Sequence, residues 1–219
     1  MPELPRVAHL DDLPAAPILG GTLTWRPLRR ELGIGAFGVN AYTAASAGGQ
    51  LIEDHDETGG GAGRHEELYV VLRGHARFTV DGQEIDAPAG TFVFIGDPTS
   101  RRTAVAVADD TAALVVGGVV GQAFASSPWE GSALAAAFAQ QGDFDRALPL
   151  AREAVAEHGD NGSAVFNAAC AEALAGERAP ALEHLRRAIE LDPRCAGWAR
   201  EDADLDAIRD DPAFPERGG

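Results

Sequence analysis

The segment GQLIEDHDETGGGAGRHEELYVVLRG, residues 49–74, carries most of the information about the first half of the chain. It holds two histidine–carboxylate pairs, His55-x-Glu57 and His65-x-Glu67, separated by a glycine-rich stretch. Side chains alternate along a strand, so the two members of a pair point to the same face. Tyr69 lies two residues beyond Glu67 and shares its face by the same rule. The segment therefore predicts a polar, partly ionisable site on one face of a sheet.

Short runs rich in valine, phenylalanine, tyrosine, threonine and leucine surround this segment, and glycine, proline and aspartate separate them. Asp81-Gly82 between two such runs is a strong hairpin signal. Regularly spaced short strands with polar turns predict a sandwich or a barrel. The predicted strands are Thr22 to Leu32, Gly38 to Ala44, Leu68 to Leu72, Ala76 to Val80, Thr91 to Ile95, Thr103 to Val107 and Ala112 to Gly117.

The spacing of these residues resembles the two motifs of the cupin superfamily. Gly49 is followed by five residues and then His55, and Glu67 is followed by six residues and then Gly74. The second motif fits from Gly90 onward, and its histidine position is occupied by Arg101. The resemblance implies an antiparallel β-barrel of the jelly-roll type over residues 1–125.

Members of that family usually hold a divalent metal with three histidines and one glutamate. Carried over by position, this implies His55 and Glu67 as ligands, with Glu57 at the second histidine position. His65, which shares the face of Glu67 by alternation, completes a variant metal site formed by His55, Glu57, His65 and Glu67. Imidazole and carboxylate together suit Fe, Mn, Ni or Zn. Arg101 cannot ligate a metal, because a guanidinium has no free lone pair. The alternative is a metal-free pocket in which Arg101 pairs with Glu57 or Glu67, with Glu67, His65, Tyr69 and Arg101 facing a small-molecule ligand.

From Trp129 onward alanine dominates and the apolar period becomes helical. Helices are predicted at 131–141, 144–157, 163–175 and 179–191, with Gly142 and Gly176 ending the first helix of each pair. Several positions recur after 34 residues, which is the tetratricopeptide spacing. Residues 128–219 therefore resemble an all-α module of tetratricopeptide-like helical hairpins, with a C-terminal segment that covers the open end. His158 and His184 fall on helix surfaces and are expected to be solvated. The fold class predicted for the whole chain is thus α+β, in two domains.

A formal net charge of −16 excludes phosphate backbones and anionic lipid surfaces as preferred partners. The two cysteines, Cys170 and Cys195, do not form a disulfide framework, which favours a reducing compartment. Met1 to Pro17 has no apolar core typical of a signal peptide, and the chain is expected to be cytoplasmic.

Three functions are compatible with these features. The favoured one is a non-catalytic small-molecule-binding or sensing barrel, coupled to helical repeats that bind a protein or peptide. The second is a metal-dependent cupin enzyme of the isomerase or dioxygenase type. The third is a structural dimerisation module, since a homodimer is the commonest assembly. The sequence leaves open whether the protein is an enzyme.

Overall fold

The computed structural model describes residues 6–59 and 62–215. The chain divides into two compact units, and the division falls between Ser126 and Ser127. None of the helices in the described part of the chain is both long and apolar enough to cross a membrane.

The N-terminal unit consists of two antiparallel sheets. The six-stranded sheet has the order β1-β2-β3-β10-β5-β8, and the four-stranded sheet has the order β4-β9-β6-β7. The strands are β1 (Ala16–Ile18), β2 (Leu23–Arg26), β3 (Gly38–Ala44), β4 (Gln50–His55), β5 (Glu66–Arg73), β6 (His75–Val80), β7 (Gln83–Pro88), β8 (Phe92–Ile95), β9 (Arg102–Ala106) and β10 (Thr111–Gly118). A short helix, α1 (Leu28–Leu32), follows β2.

Alternation along the strands builds the interior between the two sheets. On β5, Glu67, Tyr69 and Val71 are buried, while the residues between them are more exposed. The rings of Tyr69 and Phe78, which belong to different sheets, lie 5.4 Å apart. The interior is therefore apolar around Phe78 and becomes polar towards Glu67.

Two turns explain why glycine is required where the strands reverse. Asp81 and Gly82 both have positive φ and connect Val80 to Gln83, its cross-strand partner, which is the geometry of a tight hairpin. Gly74 has a φ of +72°, and a Cβ there would lie 2.4 Å from Thr111 Oγ1. A side chain at position 74 would thus break the turn between β5 and β6.

Two sequence predictions for the N-terminal unit need correction. Among residues 6–59 and 62–215, no strand pairing joins the two sheets, so the predicted barrel is an open pair of sheets. The run Thr22 to Leu32 is not one strand, because Pro27 ends β2 and α1 follows it. Proline lacks the N–H that a continuing strand would donate.

The C-terminal unit is helical. Its helices are α2 (Pro128–Gln140), α3 (Phe144–His158), α4 (Gly162–Leu174), α5 (Arg178–Leu191) and α6 (Cys195–Glu201), followed by a 3-10 helix (Ala203–Ile208). Gly142 and Gly176 have φ of +76° and +78° at the turns between α2 and α3 and between α4 and α5. The 34-residue repeat thus corresponds to two helical hairpins with equivalent turns, and their tetratricopeptide type stays a prediction.

The C-terminal segment covers the second hairpin, as the sequence predicts. Leu205 and Ile208 are buried in the cluster formed by α4 and α5, and Phe214 packs against it. Trp198 contacts Phe166 edge-on, with ring centroids 5.6 Å apart. These contacts hide apolar surface that the hairpin would otherwise expose.

His184 is not simply solvated, contrary to the sequence prediction. Its Nδ1 lies 2.7 Å from Oε2 of Glu172, a carboxylate buried on α4. The hydrogen bond to Glu172 raises the pKa of His184, and partial burial opposes this effect. When protonated, the His184 imidazole therefore compensates a carboxylate buried in the helical unit.

We predict that this pair makes the stability of the helical unit depend on pH. Because the pKa of His184 is higher in the folded than in the unfolded chain, its stabilisation is complete below the unfolded value of about 6.5. It is lost as the pH rises through the folded pKa. The free energy of unfolding of the helical unit, measured with urea, should fall by about 1 kcal/mol as the pH rises through the folded pKa of His184. The His184→Gln variant should lack this pH dependence, and an unchanged slope in the variant would contradict the assignment.

Candidate ligand and metal site

Three ligand atoms converge at one end of the N-terminal unit. His55 ends β4, Glu57 follows in the next loop, and Glu67 lies on β5 of the other sheet. His55 Nε2 is 3.6 Å from Glu57 Oε1 and 4.0 Å from Glu67 Oε2. One ligand atom from each residue lies within 4.8 Å of the other two. The structure thus brings together three of the four residues predicted as metal ligands.

A backbone contact selects the tautomer of the neutral His55 ring. Its Nδ1 lies 2.9 Å from the carbonyl oxygen of Glu53. A carbonyl only accepts hydrogen bonds, so Nδ1 carries the proton and Nε2 keeps its lone pair in the neutral ring. This orientation is the one that metal-ligating histidines usually have.

The glycine-rich loop positions Glu57. The amide of Gly63 donates to Glu57 Oε2 at 3.0 Å, and the amide of His65 donates to the same atom at 3.4 Å. A Cβ at position 63 would lie 2.2 Å from His65 Nε2, so only glycine leaves room for that ring. The loop therefore holds the Glu57 carboxylate and the His65 imidazole side by side.

His65 is adjacent to the cluster but is not a member of it. Its Nδ1 is 3.9 Å from Glu57 Oε2, and its ring lies 5.9 Å from that of Phe124. The structure therefore places His65 at the edge of the site, beside the Glu57 carboxylate and the Phe124 ring.

Glu67 is a buried carboxylate whose pKa is raised by its surroundings. Burial raises the pKa of its carboxyl, and the Glu57 carboxylate raises it further. The hydroxyl of Tyr69 donates to Glu67 Oε2 at 2.5 Å and opposes this shift. Burial and the neighbouring Glu67 hold the pKa of Tyr69 well above its usual value, so Tyr69 is a donor here.

The arginine predicted to face the site is the wrong one. Arg101 is 61% exposed and pairs with Asp54 on the outside, with its Nε 2.7 Å from Asp54 Oδ1. The next residue, Arg102, is fully buried, and its Nε lies 3.5 Å from Glu67 Oε2. Arg102 is the cross-strand partner of His55. The motif spacing therefore misses the arginine that faces the site by one residue. Because neighbouring side chains point to opposite faces, Arg101 lies outside and Arg102 inside.

The donor set fits a divalent metal. Atoms that ligate one ion at about 2.1 Å stand about 3–3.5 Å apart, slightly closer than the separations between His55 and the two carboxylates. One imidazole and two carboxylates are common ligands of Fe, Mn, Ni and Zn. Arg102 cannot be a ligand, but the two carboxylates outnumber its single positive charge.

Solved structures similar to this chain include several cupins, which match about half of the chain or less. A cupin protein from Bacteroides fragilis is 23% identical, covers 45% of this chain and 78% of its own, and has a TM-score of 0.36. An RmlC-like cupin from Desulfovibrio desulfuricans is 27% identical, with coverages of 38% and 73% and a TM-score of 0.32.

A sugar phosphate isomerase of the cupin superfamily from Silicibacter pomeroyi is 16% identical, with coverages of 52% and 76% and a TM-score of 0.42. No family model matches the sequence, and no curated protein matches it.

We predict that replacing the two neighbouring arginines has very different effects on stability. Arg102→Met removes the charge that compensates the buried Glu67 carboxylate and should cost about 3–5 kcal/mol. Arg101→Met removes only an exposed ion pair and should leave the free energy of unfolding unchanged within error. Urea denaturation followed by tryptophan fluorescence measures both. Equal effects in the two variants would show that the Arg102–Glu67 contact does not stabilise the fold.

Proposed function

We propose that the N-terminal unit is a cupin-type domain that binds a divalent transition metal through His55, Glu57 and Glu67, and a small molecule beside it. The observation that carries the proposal is the convergence of these three ligand atoms within 4.8 Å. Two further features support it. The proton on His55 Nδ1 leaves Nε2 free to ligate, and the loop amides hold Glu57 in place.

Such a metal, when bound, supplies Lewis acidity and open coordination positions for a ligand. The chain's own residues contribute the rest. Tyr69 holds its proton towards Glu67, and Arg102 lowers the negative charge around that carboxylate. These features suit binding as well as catalysis, so an isomerase or dioxygenase activity is a further possibility within the same proposal.

We predict that the purified protein contains, or takes up, about one divalent transition metal per chain. Elemental analysis and titration calorimetry with Mn²⁺, Ni²⁺ and Zn²⁺ measure this. His55→Ala and Glu67→Gln should weaken metal binding by about 10–100-fold or more, because each removes a ligand or its charge. His75→Ala is the matched control, since His75 pairs with Asp86 instead.

Protein that holds no metal and refuses added metal would contradict the metal proposal. The second candidate would then apply, in which the pocket is a metal-free binding or sensing site. That candidate is favoured by the Arg102–Glu67 ion pair, which neutralises one of the two carboxylates.

We also propose that the N-terminal unit forms a homodimer through the β8 side of the six-stranded sheet. Strand β8 is last in the order of that sheet, and Phe92 and Phe94 are 67% and 62% exposed. Their cross-strand partners are Val70 and Leu68, so one face presents adjacent apolar side chains. An exposed apolar patch on an edge strand suits a second copy of the same surface.

The full chain should therefore have the mass of a dimer in size-exclusion chromatography with light scattering. The double variant Phe92→Ser/Phe94→Ser should shift it to a monomer at the same concentration. Val120→Ser, which also removes an exposed apolar side chain, should leave the dimer intact. A monomeric wild-type protein, or a dimer that survives the double variant, would contradict this interface.

The helical unit completes the proposal as a site for a protein or peptide. Its basic side chains are largely engaged with carboxylates; Arg146, Arg152 and Arg178 pair with Asp143, Glu177 and Asp211. A segment that binds there should therefore be basic. Fluorescence anisotropy with a labelled lysine-rich peptide tests this, and an acidic peptide of equal length is its control.

A further inference from the structure

Arg102 combines complete burial with unused hydrogen-bonding capacity. Its side chain is fully buried, and none of its three guanidinium nitrogens donates a hydrogen bond within the described part of the chain. The contact with Glu67 at 3.5 Å is electrostatic only. A guanidinium has five N–H donors, and burying such donors without acceptors costs free energy for each of them. The guanidinium of Arg102 thus has buried N–H donors that lack acceptors.

A second unpaired polar atom belongs to the same interior. Asn40 Oδ1 is buried and has no hydrogen-bond partner among the described residues. Asn40 is the cross-strand partner of Val115, and Val115 is the partner of Tyr69. Directly paired residues share a face, so Asn40 and Tyr69 lie on the same face of the six-stranded sheet. The interior therefore offers unused donors at Arg102 and an unused acceptor at Asn40.

We propose that the buried guanidinium of Arg102 binds the carboxylate of a small hydroxycarboxylate or dicarboxylate ligand. The planar guanidinium presents paired N–H groups that match the two oxygens of a carboxylate. A hydroxyl or protonated group on the ligand supplies the donor that Asn40 Oδ1 lacks. A purely cationic ligand would leave the guanidinium unpaired, whereas a hydroxycarboxylate can pair with both groups.

This inference rests on the proposed metal centre, because the site is negatively charged without a cation. Glu57 and Glu67 already outnumber Arg102, so a further carboxylate would raise the negative charge in a poorly solvated site. A divalent cation at His55, Glu57 and Glu67 reverses that balance. The carboxylate ligand should therefore bind more tightly to metal-loaded than to metal-free protein.

Titration calorimetry with glycolate and malonate on the metal-loaded full chain tests the proposal. Glycolamide and malonamide are the uncharged controls. Wild-type protein should bind the acids and not the amides. Arg102→Gln should weaken acid binding by about tenfold or more, whereas Arg101→Gln, one residue away and on the outside, should change it by less than about twofold.

Metal content is measured in parallel for every variant. If Arg102→Gln also loses metal, the Arg102→Lys variant separates loss of metal from loss of the acid-binding group. Lysine keeps the charge beside Glu67 but not the paired N–H groups. Weaker acid binding with full metal content in that variant supports the proposal. Wild-type protein that binds metal but no acid overturns the inference and leaves the proposed function standing. Protein that takes up no added metal but still binds acid in an Arg102-dependent way would support the Arg102 site and contradict the proposed metal centre.

Discussion

The buried contact between Arg102 and Glu67 is the interaction around which the N-terminal unit is arranged. Arg102 belongs to the four-stranded sheet and Glu67 to the six-stranded sheet, so the pair joins the two across the interior. Taking either charge out of water is costly, and each needs the other. The register of β4 and β9 sets Arg102 directly opposite His55. The same contact that balances the charge therefore also fixes where the imidazole lies relative to the carboxylates.

Hydrophobic alternation predicted most strands, and its failures have physical causes. Strand β3 coincides with the predicted run, and the hairpin at Asp81-Gly82 is confirmed. Strand β7 was missed because Gln83–Pro88 is largely exposed and polar, so only pairing with β6 holds it. In the helical unit, the recurring glycines predicted the two hairpins, because a left-handed turn is a local requirement. The pairing of His184 with Glu172 depends on how α4 and α5 pack, which periodicity does not record.

In the site, too, features set by local sequence were predicted and features set by tertiary packing were not. Motif spacing picked out His55, Glu57 and Glu67, which lie close together in the structure although Glu57 belongs to the loop after β4. It failed for Arg101, because alternation on β9 has alanines inward and larger threonine and valine side chains outward. The larger apolar side chains of β9 lie on the outer face, so their positions did not indicate that Arg102 points inward. Nor could any pattern show that Asn40 Oδ1 lacks a partner, because that depends on every neighbouring side chain.

Burial then determines the chemistry that this set of residues can support. Glu67 loses solvation on folding, and Tyr69 and Arg102 restore only part of what water provided. Glu57 adds a second carboxylate that loop amides hold in place, so it cannot simply turn away. An interior with two fixed carboxylates and one guanidinium is short of positive charge, while the guanidinium itself is short of acceptors. A cation on the carboxylate side and an oxyanion on the arginine side would satisfy both deficits together, whereas either one alone would leave the other unmet.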